Sequence, residues 1–279
     1  MLEIPESINI AKQLNQTIKG KVIKKVLANS SPHGFAFYFG DPGNYQSLLY
    51  GKTIGEAKAI AGFIEIEAGN VRMLFNDGVN IRYYPAGVPV PIKNQLHVEF
   101  EDHSSIVCTV QMYGGLWVYH EGENDNKYYL AAKGKPSPLA AEFDEEYFRV
   151  LLEGAKKKLS VKAFLATEQR IPGLGNGVLQ DILFNAKINP KCPLEKLTDD
   201  EKARLFKSTK ETLFKMTAEG GRDTEKDLYG SSGGYETAMS NKKLSCPCPV
   251  CGGAIVRQAY LGGNVYFCPA CQPFESNRK

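Results

Sequence analysis

Apolar residues recur at helical spacing at the start of the chain. Ile8, Ala11, Leu14 and Ile18 fall on one face, and Gly20 stops the pattern. This spacing predicts a short N-terminal helix. From about residue 21 to 133 the period shortens. The runs VIKKVLA, FAFYF, FIEIEA, VRMLF, NIRYY, LHVEFE, SIVCTVQMY and LWVYH are rich in β-branched and aromatic residues. Turn residues separate them, among them Asp41-Pro42-Gly43-Asn44, Ala68-Gly69-Asn70, Asn76-Asp77-Gly78 and Glu101-Asp102-His103. Eight such runs predict an antiparallel sandwich or barrel.

Residues 134–138, GKPSP, read as a linker, and the pattern beyond them is helical. Phe148, Leu151, Leu152 and Ala155 share one face; Leu179, Ile182, Leu183 and Ala186 share another. Thr198 followed by Glu201 forms a capping box that opens a long helix to about Ala218. The Gly-rich stretch 219–235 reads as a long loop, and loops of that length are functional or disordered. The expected fold class is α+β: a β-sandwich with an N-terminal helix, then a helical domain, then a short β-hairpin. The expected boundaries are 1–133, 139–240 and 241–273.

A chain of 279 residues makes one large domain or two ordinary ones, and its 43% hydrophobic and 23% charged residues are normal for a globular protein. No run of about 18 apolar residues occurs. The first residues lack a basic region followed by an apolar core. A cytoplasmic protein with no membrane partner is expected. The net charge of +3 does not announce nucleic acid, but the distribution of charge matters more than its sum. Lysines cluster at Lys156, Lys157, Lys158 and Lys162, and again at Lys242 and Lys243. Such clusters serve as solvated helix faces or as phosphate contacts.

Five of the seven cysteines lie in the last 34 residues. Cys248-Pro-Val-Cys251 and Cys268-Pro-Ala-Cys271 are two C-x-x-C knuckles 16 residues apart, joined by two β-like runs around Gly262-Gly263. Four soft thiolates on a hairpin suit tetrahedral Zn²⁺ and leave no open position, so the expected metal is structural zinc; a redox pair is the other reading. Cys246 reads as a bystander, and Cys108 and Cys192 as ordinary buried thiols. His33, His97, His103 and His120 have no ligand spacing.

Ile171-Pro-Gly-Leu-Gly-Asn-Gly177 sits between two helical segments. Its G-x-G-x-G spacing after a helix is neither a dinucleotide fingerprint nor a Walker loop. It is a tight interhelical turn, or a turn whose bare backbone N–H groups, Gly175 among them, grip phosphate.

These segments together resemble the formamidopyrimidine-DNA glycosylase / endonuclease VIII family. KKLSVKAFLATEQRIPGLGNGVLQDILFNAKINP resembles its helix–two-turns–helix element, MTAEGGRDTEKDLYGSSGGY the loop that follows, CPVCGGAIVRQAYLGGNVYFCPACQ its zinc-finger hairpin, and MLEIPES its N-terminus. The resemblance spans nearly the whole chain. It implies a β-sandwich plus a helical domain carrying a zinc finger, with damaged duplex DNA as partner and the damaged nucleotide flipped out. A monomer is expected, in a nucleoid-associated setting. By position, Lys162 and Asn176 match residues that hold phosphates beside the lesion. Glu3 matches the carboxylate that assists sugar-ring opening, and Glu6 a second acid near the flipped nucleotide. Tyr113 matches an aromatic wedge. Arg222, in the Gly-rich loop, is a candidate contact to the flipped base.

The chain departs from the family where an amine does covalent chemistry. Leu2 stands where the family has its nucleophilic proline, which leaves the Met1 amine as the candidate substitute. Gly62 stands at a lysine position, with Lys58 and Lys52 out of register. Gly263 replaces the finger arginine five residues before the third cysteine, and Asn76 and Asp77 replace apolar filler. These changes argue against β-lyase chemistry and leave DNA binding intact. Three functions follow: a glycosylase that removes an oxidised or otherwise modified base in base-excision repair, a non-catalytic binder of damaged or distorted DNA, and a different nucleic-acid chemistry on the same scaffold.

Overall fold

The computed structural model describes residues 2–274. The chain divides into two compact units, 1–130 with 225–233, and 131–224 with 234–279. The segment 225–233, which the sequence pattern assigns to the helical domain, clusters with the first unit. The hairpin segment from residue 241 clusters with the helices in the second.

In the first unit, helix α1 (Ile4–Thr17) begins at Glu3, whose backbone is extended and whose carbonyl accepts from the Ser7 amide at 2.9 Å. Pro5 occupies the first turn, where its missing N–H leaves no bond unmade. Ile4, Ile10, Ala11 and Leu14 are buried, and so is Ile18 just beyond the helix; Ile8, expected on this face, is only half-buried.

Among the described residues nine strands build the sandwich: β1 (Ile23–Ala28), β2 (Ala36–Tyr38), β3 (Ile54–Ile60), β4 (Phe63–Ala68), β5 (Val71–Phe75), β6 (Val79–Tyr84), β7 (Leu96–Phe100), β8 (Ser105–Val110) and β9 (Gly114–His120). One sheet runs β1-β7-β8-β6 and the other β2-β9-β5-β4-β3. Pairing is antiparallel except that β2 runs parallel to β9, against the all-antiparallel expectation. Helix α2 (Tyr45–Leu49) follows β2. Alternate residues of both sheets meet in one core, where Ile23, Ile64, Ile66, Met73, Phe75, Ile81, Val98, Ile106 and Leu116 are buried with Leu2 and Leu228.

In the second unit come α3 (Lys127–Gly134, which spans the boundary), α4 (Glu145–Glu153), α5 (Val161–Ala166), α6 (Val178–Asn185) and α7 (Asp199–Ala218). The capping box forms as expected. The Thr198 hydroxyl accepts from the Glu201 amide at 3.2 Å, and the Glu201 carboxylate accepts from the Thr198 amide at 2.9 Å. Leu179, Ile182, Leu183 and Ala186 are all buried. Phe143, Phe148, Phe164 and Phe206 form an aromatic cluster, with Phe148 edge-on to Phe164 at 5.6 Å between centroids. The hairpin β10 (Val256–Tyr260) and β11 (Gly263–Phe267) turns at Leu261-Gly262, both with positive φ.

Candidate catalytic carboxylates and nucleic-acid contacts

The N-terminus of α1 carries the two acids. Glu3 and Glu6 are buried, and the Ser7 hydroxyl donates to the Ala61 carbonyl, tying this turn to the β3–β4 hairpin. Leu2 is 5% exposed and belongs to the sandwich core. Its side chain is spent on packing. Met1 lies outside the described residues. The hairpin turn holds Ala61 and Gly62, so no ammonium arises there. Lys58 is paired with Glu67 at 3.0 Å and Glu56 at 3.2 Å, and Lys52 donates to Asn70 at 2.9 Å. Neither lysine replaces the missing one.

The segment 225–233 closes over the same region. The Gln13 side chain donates to Asp227 at 2.9 Å and accepts from the Leu228 amide at 3.0 Å, while the Tyr83 amide donates to the Leu228 carbonyl. Leu2, Glu6, Ile10, residues 79–82, Glu225 and Lys226 line a narrow crevice of about 10 Å³, the room of one water. Sequence reasoning did not anticipate the Gln13 clamp, because a polar residue on a helix carries no periodic signal.

Tyr113 and Met112 are exposed on the β8–β9 turn. The Tyr113 hydroxyl donates to Asp77, and its carbonyl lies where a Cβ on Gly78 would be, 1.7 Å away. Burial pushes the Asp77 carboxyl up; burial, then the Asp77 charge, raises the Tyr113 phenol to about 12. Glu3 adds to that field. The Tyr113 turn and Glu3 are thus one electrostatic neighbourhood within the first unit.

In the second unit, Ser160 caps α5 by accepting from the Ala163 amide. Lys162, in the first turn of α5, is buried; its ammonium donates to the Tyr260 carbonyl and lies over the Tyr260 ring. Burial lowers its pKa. Gly173 takes positive φ in the turn, Gly175 starts the α6 turn through its carbonyl, and Asn176 donates to the Asn264 carbonyl at 3.0 Å. The Asn176 carbonyl oxygen Oδ1 is buried without a partner among the described residues. Gln180, unremarked in the sequence, stitches this element to the hairpin: it accepts from the Tyr266 amide at 3.0 Å and donates to the Asn264 carbonyl at 3.1 Å. A Cβ on Gly263 would stand 3.5 Å from the Asn176 amide.

Lys156, Lys157 and Lys158 are exposed. Lys242 and Lys243 are engaged with Asp223 and Glu236. Arg222 departs from expectation. It is 2% exposed, within the field of the buried Asp181, and its backbone bridges to Tyr235. A guanidinium so enclosed packs the interior, against the exposed loop position expected of a base contact. Asp181 itself accepts from the Ala238 and Met239 amides at 2.9 and 2.7 Å, which fixes the chain entering the hairpin.

The four sulfurs of Cys248, Cys251, Cys268 and Cys271 lie within 4.8 Å of one another. Bonds of ~2.3 Å to a tetrahedral Zn²⁺ would set sulfurs ~3.8 Å apart, so the cluster fits a single metal ion. Gln272, fully buried, holds the second knuckle: it accepts from the Cys268 amide at 3.1 Å and donates to the Ile188 carbonyl at 2.9 Å. Cys246 is exposed and outside the cluster.

Residues 135–227 match the family model described as the formamidopyrimidine-DNA glycosylase H2TH domain. The chain is 26% identical to the formamidopyrimidine-DNA glycosylase of Bacillus cereus, over 98% of this chain and 99% of that one. It superposes on the Lactococcus lactis Fpg in complex with abasic-site DNA with a TM-score of 0.83, at 25% identity, covering 98% of this chain and 100% of that one. The same protein in complex with an oxidised-pyrimidine DNA gives 0.82 at 25% identity and the same coverage. Domain match, full-length similarity and shared architecture agree: the chain carries an H2TH domain of the formamidopyrimidine-DNA glycosylase type and is similar to the formamidopyrimidine-DNA glycosylases along nearly its whole length.

Proposed function

We propose that this protein is a DNA glycosylase that removes an oxidised base from DNA by hydrolysis, without strand cleavage of its own. The burial of Leu2 in the sandwich core beside two buried carboxylates carries this reading. Position 2 supplies packing where the family has an amine, while Glu3 and Glu6 remain at the start of α1. Glu3 accepts a proton from water as that water attacks the sugar C1′. The C1′–N bond breaks, and the base leaves with its electron pair and takes up a proton. Glu6, buried in the first turn of α1, is the second carboxylate near the flipped nucleotide. A base must be extruded to reach them, and the crevice holds about 10 Å³, so the segment 225–233 has to open first. Asn176 takes a phosphate, Lys162 takes another once its ammonium leaves the Tyr260 carbonyl, and Tyr113 fills the vacated stack. The four cysteines take Zn²⁺, which supplies folding energy to the hairpin and no step of the reaction. Abasic-site and oxidised-pyrimidine DNA bound to the L. lactis relative support the substrate class.

A second reading, a non-catalytic binder of damaged DNA, is favoured by one observation: Lys58, the nearest lysine to Gly62, is locked between Glu56 and Glu67. Labelled duplexes carrying an oxidised pyrimidine, 8-oxoguanine or an abasic site, resolved on denaturing gels with and without hot alkali, separate the readings. Hydrolysis gives breaks only after alkali, reduced ~10²–10⁴-fold in Glu3→Gln. Breaks without alkali that vanish in Glu3→Gln would establish a replacement amine. No breaks, with lesion-selective binding retained, would establish the binder.

A further inference from the structure

Strand β6 is the outer strand of its sheet, and the segment 225–233 lies along its free edge. The Tyr83 amide points out of that edge and donates to the Leu228 carbonyl at 2.9 Å. Residues two apart on a strand aim their backbone groups the same way, so the Ile81 carbonyl faces this edge too. Arg82 Nη1 donates to that carbonyl at 2.7 Å. The guanidinium is thereby folded round onto the edge, and Arg82 lines the narrow crevice with Glu6 and Glu225.

That is the one hydrogen bond of the Arg82 side chain among the described residues, and it enters no ion pair there. A guanidinium has several N–H donors, so most of them remain unspent. Burial lowers the Arg82 pKa, and the charges of Asp227 and Glu225 oppose that. Both acids belong to the segment 225–233, which has to open before a base can enter. Arg82 sits on the sheet and stays. Opening therefore withdraws two negative charges from a fixed, half-buried cation, and the vacated place suits another anion. Lys226, the second cation lining the crevice, donates to Ser232 at 3.1 Å and moves with the segment.

Hydrolysis creates such an anion. Water attacks C1′ and gives its proton to Glu3. The C1′–N1 bond of a pyrimidine breaks, and its electron pair goes to the base, shared between N1 and O2. Two carboxylates cannot stabilise that charge. A guanidinium can, and because it does not give up a proton, the base takes its proton from solvent afterwards. We propose that Arg82 is a catalytic residue of this reaction, donating to O2 of the departing pyrimidine as the glycosidic bond breaks. This inference rests on the hydrolytic reading above and names the group that bears the leaving charge.

The test measures single-turnover excision by the full-length protein from duplexes carrying dihydrouracil, 5-hydroxyuracil or 5-formyluracil, revealed by hot alkali. Dihydrouracil is the poorest leaving group, since its saturated ring spreads charge least, and 5-formyluracil is the best. Wild type, Arg82→Gln and Arg82→Lys are compared. Arg82→Gln should lose on the order of 10²-fold on dihydrouracil and much less on 5-formyluracil, and Arg82→Lys should recover most of the loss. Binding to a duplex with an uncleavable 2′-fluoro lesion should be unchanged, because the contact strengthens only as charge develops. An equal loss on all three lesions means a structural role and overturns the assignment. So does weaker binding with a salt slope shallower by about 1, the mark of a phosphate contact. So does undiminished excision by Arg82→Gln. In each case the hydrolytic reading stands. No excision of any lesion by wild type overturns both.

Discussion

The Tyr113 hydroxyl donates to the Asp77 carboxylate at 3.0 Å, and the Tyr113 carbonyl sits directly over Gly78. The wedge turn is therefore seated on the 76–78 turn, which also accepts the Gly115 amide through Asn76. The residues that replace apolar filler thus act as a polar seat for the wedge. Gly78 has φ +84 and no room for a Cβ. Gly87 has φ +79 and open space. Gly78→Ala is expected to cost ~3 kcal/mol or more, from backbone strain plus the clash, against ~1 kcal/mol for Gly87→Ala from strain alone. Urea unfolding of the two variants checks this; equal losses would mean the wedge turn simply moves aside.

Gly263 stands beside Asn176 with ordinary backbone geometry and 3.5 Å of clearance. An arginine placed there would stand beside Asn176, the proposed phosphate contact, without strain. Gly263→Arg is expected to tighten DNA binding several-fold at low salt. It should steepen the dependence of log K on log salt by about 1, the mark of one added phosphate contact. Titrations of lesion duplex across salt concentrations measure it. An unchanged slope would separate the hairpin tip from the phosphate backbone.

Sandwich, helical segments and four-cysteine hairpin were legible because each is written in periodicity, capping or cysteine spacing. The strand β3 was not. Its sequence IGEAKAI mixes glycine, alanine and charges, and it is an edge strand with a register shift between Ile54 and Ala57. An edge needs little β-propensity when its neighbour β4 supplies the apolar face. Resemblance pointed to Glu3, Glu6, Lys162 and Asn176, yet nothing in the sequence revealed the side chains that tie their surroundings together. Gln13, Gln180 and Gln272 act through side-chain amides on distant backbone, a relation only folding creates. Arg222 misled because a Gly-rich loop suggests exposure, while this loop folds back on itself through the Gly221–Tyr235 and Gly234–Glu219 backbone bonds.

Gln272 orders the second cysteine knuckle from outside the metal cluster. Gln272→Ala strands the Cys268 amide and the Ile188 carbonyl, both buried partners of the lost amide. The expected cost is ~1–3 kcal/mol of stability and a ~10- to 100-fold loss of zinc affinity. Competition with a chromophoric chelator at fixed zinc reads the second quantity. Replacing Cys246 by serine is the matched control and should leave affinity unchanged, since Cys246 lies outside the four-sulfur cluster. A loss there as large as that of Gln272→Ala would make the fifth cysteine a ligand.

Acid stability carries a signature of the first unit. The Lys21 ammonium, followed by the Ser104 hydroxyl, holds the Asp102 carboxyl down to about 2. A carboxyl depressed in the folded state stabilises it above the unfolded value of about 3.9, and that contribution fades as pH falls through about 2. Asp102 is 53% exposed, so solvent screening limits the contribution to under ~1 kcal/mol. Asp102→Asn is therefore expected to be slightly less stable than wild type from pH 5 to 7, with the two unfolding curves converging towards pH 2. In 1 M salt the gap at pH 6 should shrink, because the pair is open to counter-ions. A gap that persists at pH 2 would assign the loss to the Ser104 hydrogen bonds rather than to charge.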